Sequence, residues 1–174
     1  GERAEGFDDI AGFPAGPAAG SCLHEIFEKT EFTRFDAPEA AAVIVDALAR
    51  GGFDPRWKEA VAALVRRVMT ARLAPGIVLG GVGPADRIAE LEFYYPLARI
   101  TPRGLGRHLG GAAAMSDDGR PGEGLEFSPR RGFMRGFIDL VFRREGRYYI
   151  VDWKSNRLGD AAEQYDAAAM GREM

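Results

Sequence analysis

The run GFMRGFIDLVFRR at 132–144 is followed by EG at 145–146 and by RYYIVDWK at 147–154. Both flanking runs are rich in β-branched and aromatic residues, which favour strands. An acidic residue then Gly between two such runs is a hairpin turn. The stretch therefore predicts two antiparallel strands, 132–144 and 147–154. With Glu145 and Gly146 as the loop, cross-strand partners have numbers summing to 291, so Asp139 faces Asp152. Directly opposed residues have Cβ atoms about 4.5–5.5 Å apart. Two carboxylates that close repel each other unless something positive sits between them, and divalent cations favour such oxygen ligands. Lys154 follows Asp152 by two residues, so the strand repeat puts it on the same face. Taken singly, a strand Asp with a Lys two residues on is a solvated ion pair. The facing pair plus the lysine, in a basic segment, points to a metal that activates water and a cation that holds phosphate.

The charge distribution sharpens this reading. Residues 130–157 hold eight basic and three acidic residues, a net +5, against −8 for the rest of the chain. The whole chain carries −3, which by itself gives no sign of nucleic acid. Of 23 basic residues only Lys29, Lys58 and Lys154 are lysines, which makes the position of Lys154 informative. The 174 residues suit one domain with a core of its own. A hydrophobic share of 46% with 28% charged residues excludes a disordered chain and a fibre. No run of 18 apolar residues is present, so no transmembrane helix is expected. The charged start, residues 1–9, is no signal peptide. A single cysteine, Cys22, makes neither an internal disulfide nor a CxxC metal site and fits a reducing compartment.

Elsewhere, residues 1–20 are rich in Gly, Pro and Ala and read as an irregular lead-in to a domain at 21–174. Ser21 offers an N-cap to a helix over 21–30, with Leu23, Ile26 and Phe27 at helical spacing. A second helix runs 37–50 and stops at Gly51-Gly52. Asp54-Pro55 opens a third that ends near Leu73. Residues 74–86 read as a loop and 87–97 as a strand. The Gly-rich stretch 101–131 is long for a structureless loop and reads as a mobile surface insertion. Asp160 with Glu163 resembles a capping box at the start of a last helix.

GFIDL at 136–140, the hairpin, and DWKSN at 152–156 resemble the D…(D/E)xK core of the restriction-endonuclease-like nucleases. The run 132–159 is more closely similar to the C-terminal nuclease domain of bacterial RecB, a subunit of RecBCD (exodeoxyribonuclease V). GSCLH at 20–24 with Phe27-Glu28, and ELEFY at 90–94, look like further pieces of that domain in the same order. The resemblance spans residues 12–174 and is weakest over 101–128. It implies an α/β fold: a mixed central sheet carrying the hairpin, flanked by helices, with the N-terminal helices packed on one side.

The resemblance also implies roles. Asp139 and Asp152 would be the metal carboxylates, joined by the backbone carbonyl of Trp153 and by His24. Lys154 would be the catalytic lysine and Glu90 an early acidic residue of the site. The activity would be Mg²⁺-dependent phosphodiester hydrolysis of DNA, on one or two ions, with Ca²⁺ or Mn²⁺ able to substitute. Arg130, Arg131, Arg135 and Arg157 would grip the DNA backbone without reading sequence. The parent protein would be a cytoplasmic bacterial helicase–nuclease that processes double-strand breaks beside RecC and RecD and helps load RecA. No GxxxxGK[ST] occurs, so ATP hydrolysis is not expected of this segment. The family's Gln-x-x-x-Tyr motif is missing, since Gln164 and Tyr165 are adjacent, so an incomplete domain of low stand-alone activity is expected. Trp153 stands where the family's tyrosine would, with its side chain expected to point away from the metal. Two other classes stay open: a silent protein-docking module, and a nuclease of another family in the superfamily.

Overall fold

In the computed structural model, residues 9–101 and 130–155 are described, with 168, 170 and 171; for 97–100, 130 and 131 only the backbone is described. The helix expected from Asp160 and most of the Gly-rich stretch lie outside these residues.

Three helices come first. Helix α1 spans Pro17–Lys29, four residues earlier than expected, with Pro17 rather than Ser21 at its start. Proline at the first helical position loses no bond and brings a helical φ with it. The helix closes at Thr30, whose N–H and hydroxyl both donate to the Ile26 carbonyl, at 3.0 and 2.6 Å. Helix α2 spans Pro38–Gly51 and stops at left-handed Gly52, as the Gly-Gly pair predicts. The expected third helix divides. The Asp54 side chain accepts from Arg56 N–H at 2.9 Å and caps a single 3-10 turn, Pro55–Trp57. Helix α3 follows over Lys58–Thr70 and ends before Leu73.

Residues 74–86 are more structured than a loop. Strand β1, Arg72–Ala74, pairs antiparallel with β2, Ile77–Val78, and 3-10 turns follow at Leu79–Gly81 and Pro84–Asp86. Elements of two or three residues are too short for a hydrophobic period to repeat, so patterning does not reveal them.

The main sheet has the order β3-β4-β5, with β3 at Arg87–Ile100, β4 at Arg130–Arg144 and β5 at Arg147–Val151. The β4–β5 ladder runs from Leu140↔Val151 to Arg144↔Arg147, the register expected from the turn. Glu145 and Gly146 have φ of 50° and 73°, as a type I′ turn requires. Strand β5 is shorter than expected: it ends at Val151, one step before the Asp139–Asp152 pair. Helices with two sheets make a mixed α/β architecture, compatible with a restriction-endonuclease-like core.

The chain forms two compact units. One comprises Gly1–Leu91 with Ile138–Met174, the other Glu92–Phe137. The core lies in the first. Ile26 of α1, Leu48 of α2, Val61, Val65 and Met69 of α3, and Leu140 and Phe142 of β4 are all sealed from solvent. Burying each such side chain contributes about 1.5–3 kcal/mol. Arg87 fastens the start of β3 to the end of α1. Its Nη2 donates to the Thr30 carbonyl at 2.9 Å and to Glu31 at 3.3 Å, and its guanidinium lies 3.8 Å from the Phe32 ring centroid. Burial raises the Glu31 carboxyl, but hydrogen bonds from Thr33 and the charge of Arg87 outweigh it, and the net shift is downward.

Candidate metal centre

Three elements of the first unit converge on one residue, Trp153. Its N–H donates to Asp139 Oδ2 at 2.6 Å, which ties the end of β5 to β4. Its carbonyl accepts from His24 Nε2 on α1 at 2.9 Å. Its ring stacks on Phe27, centroids 4.7 Å apart and planes 23° apart. His24 and Phe27 are three residues apart and so lie on one face of α1. Gly20, one turn before His24, faces Ser155; a Cβ there would lie 2.8 Å from the Ser155 hydroxyl. One stripe of α1 thus holds residues 153–155 at three points.

The remaining members follow from this arrangement. His24 Nδ1 lies 3.8 Å from Asp139 Oδ2. Glu90 on β3 completes a group in which one ligand atom each from His24, Glu90 and Asp139 lie within 4.8 Å of one another. Glu90 has φ of 49°, in the left-handed region and outside a strand's extended range. Such a backbone costs on the order of 1 kcal/mol or more and persists only where its surroundings impose it. Glu92, two residues on, is ion-paired with Arg135 in the second unit.

Asp152 and Lys154 stand together beside this group. Lys154 Nζ lies 2.5 Å from Asp152 Oδ2, so the expected same-face placement is met. Asp152 is 59% exposed against 15% for Asp139, and its carboxylate is not part of the close ligand group. The hydrogen bond that the Lys154 ammonium donates to Asp152 holds its pKa above the usual value, with burial opposing and the charges of Asp152 and Asp139 adding to the rise.

The donor set suits a hard divalent cation: carboxylates, a backbone carbonyl and one imidazole nitrogen. His24 Nε2–H donates to the Trp153 carbonyl at 2.9 Å, so a cation would bind the imidazole in place of that proton. The residues present fit a hard divalent cation. Cys22, also on α1, is buried, and burial, then the Glu25 charge, pushes its thiol up; it faces the core as a small apolar group.

Of the sequence-predicted residues, His24, Glu90, Asp139 and the Trp153 backbone come together, and Asp152 pairs with Lys154. Arg135 lies in the second unit, and the side chains of Arg130, Arg131 and Arg157 lie outside the described residues. Sequence reading gave no role to Phe27, Gly20 or Arg87. Phe27 and Gly20 share the His24 stripe at i+3 and i−4, the signal that would have found them.

No family profile matches the chain. Curated proteins do. The RecBCD enzyme subunit RecB of Escherichia coli is 35% identical over 164 residues, 93% of this chain and 13% of that protein. Its namesake in Haemophilus influenzae is 30% identical over 172 residues, 98% of this chain and 14% of that protein. The RecB subunit of Mycobacterium tuberculosis is 33% identical over 184 residues, 90% and 16% respectively. The chain thus spans between 13% and 16% of the length of these relatives.

Proposed function

The chain belongs with the RecB subunits of RecBCD enzymes, as the counterpart of one segment of them, and on that premise we propose that it is a divalent-metal-dependent nuclease segment. The observation that carries this is the engagement of Trp153 by His24 and Asp139, which gathers the donors of a hard cation at one peptide. The reaction is hydrolysis of DNA phosphodiester bonds, within a helicase–nuclease that processes double-strand breaks. Its partners would be DNA, RecC and RecD, with RecA loading as a further role of the parent protein.

His24, Glu90, Asp139 and the Trp153 carbonyl would hold the ion, and Asp152 stands outside that close group, paired with Lys154. A bound Mg²⁺ supplies charge neutralisation on the scissile phosphate and lowers the pKa of a water. Lys154 presents a fixed ammonium beside the site, able to hold a phosphate oxygen or to orient the attacking water. Asp152 keeps that ammonium in place. Phe27 and the hydrogen bonds with His24 and Asp139 fix the Trp153 peptide plane.

The test is Mg²⁺ and Mn²⁺ titration of the chain by calorimetry, with Asp139→Ala and Asp152→Ala as controls, followed by DNA cleavage in a longer RecB segment. Binding near one ion per chain, lost in Asp139→Ala, is the expected result. A folded chain that binds neither ion, or binds them equally well without Asp139, overturns the reading. Metal binding without cleavage in the longer segment would favour a docking module.

A further inference from the structure

Arg87 is gripped from several sides at the end of α1, yet it lies outside the metal centre. Its Nη2 donates to the Thr30 carbonyl and to Glu31, and its guanidinium covers the Phe32 ring. Only 11% of the side chain is exposed, and Nη1 is buried with no acceptor among the described residues. Taking a guanidinium out of water and leaving one arm unpaired is costly. As a source of stability the arrangement is therefore poor. As a joint it is stiff, because a planar fork meets a carbonyl, a carboxylate and a ring in one orientation.

The joint has matched reach to two members of the metal centre. From Thr30 back to His24 along α1 is about 9 Å at the helical rise. From Arg87 on to Glu90 along β3 is about 10 Å at the strand rise. At the far ends of these two arms, the ligand atoms of His24 and Glu90 lie within 4.8 Å of each other. A slip at the joint would thus shift Glu90 against His24. No hydrogen bond or ion pair joins Arg87 to Glu90 among the described residues, so the link between them runs through the backbone. That backbone is strained: Glu90 has φ of 49°, and a residue with a Cβ stays there only where its surroundings hold it.

We infer that Arg87 is a positioning residue of the metal centre: it pins the start of β3, so that Glu90 keeps its left-handed backbone and its carboxylate stays beside His24 and Asp139. The effect on metal binding rests on the proposed metal reading; the effect on the Glu90 backbone needs no ion.

The test uses the full chain with Arg87→Lys, which keeps the charge and loses the fork. Calorimetry with Mn²⁺ compares the native chain, Arg87→Lys, Glu90→Gln and the double variant. Arg87→Lys should weaken Mn²⁺ binding about tenfold in the native background and add nothing in the Glu90→Gln background. Val65→Ala, in the core on α3, is the stability control and should bind Mn²⁺ as the native chain does. Without metal, the ¹³C backbone shifts of Glu90 should move from left-handed to extended values in Arg87→Lys. Glu31→Gln loosens the same joint from the α1 side and stands in if Arg87→Lys does not fold, with a smaller loss in the same direction. Native-like Mn²⁺ affinity in Arg87→Lys, an equal loss in the Glu90→Gln background or in Val65→Ala, or left-handed Glu90 shifts that survive Arg87→Lys overturns the inference. A native chain that binds no Mn²⁺ refutes the metal reading, and the Glu90 shifts then decide the role of Arg87.

Discussion

Strand β4 changes character along its length. In its second half, Leu140 and Phe142 are 1% and 2% exposed, sealed under the helices. In its first half, Phe133 and Phe137 are of the same apolar kind and stand 74% and 53% exposed. Both halves are strand with a side-chain period of two, and both carry phenylalanines. The difference lies in what covers them. Around the candidate metal centre, apolar side chains build a support for a few polar donors. In the Glu92–Phe137 unit, they form the outward surface itself.

The sharpest probe of this contrast is truncation of one ring in each half. Phe142→Ala should cost about 3–5 kcal/mol in denaturant unfolding. Phe133→Ala should change it by less than about 0.5 kcal/mol. Comparable losses at both positions would mean that the first half also packs into a core. A smaller effect is expected at the support of the metal donors. Phe27→Leu keeps apolar bulk but removes the stack on Trp153, and metal affinity should fall about tenfold, as for groups that orient ligands. Calorimetry reads this directly, and an unchanged affinity would separate the Phe27 stack from the metal centre. The smallest effect is electrostatic. Hydrogen bonds from Lys29 and then Arg50 hold the Glu25 carboxyl below its ordinary value of 4.5, with burial opposing. A folded-state value below the unfolded one adds stability that is complete above pH 4.5 and is lost as pH falls through the folded value. Glu25→Gln should therefore cost at most about 1 kcal/mol at pH 7 and nothing near pH 2, by urea unfolding at both.

Much of this is legible in the sequence. The hairpin, its turn and its register follow from EG between two β-rich runs, because a two-residue loop leaves one pairing that keeps Leu140 and Phe142 inward. The likeness of 20–28 and 132–159 to one nuclease family gathered His24, Asp139 and Trp153 although 129 residues separate the first from the last. Other features were not legible, for identifiable reasons. The start of α1 hid in a Gly/Pro-rich stretch whose Pro17 initiates a helix as readily as it breaks one. Asp54 carries the N-cap signal but spends it on a 3-10 turn before α3. The left-handed backbone of Glu90 is imposed by tertiary surroundings and has no local sequence cue. Asp152 is expected to face Asp139; the ladder ends one step short of that pair, and the Asp152 carboxylate is ion-paired with Lys154.

The chain has two tryptophans, and the fold gives them separate duties as optical reporters. Trp57 is enclosed beside Phe13 in the helical core, edge-on at 5.4 Å, so its emission follows global unfolding. Trp153 lies against Phe27 with its own backbone at the candidate metal centre, so in the folded chain its emission reports on that centre. Replacing Trp57 with Phe would leave a chain that signals events at Asp139 and His24 with no label attached.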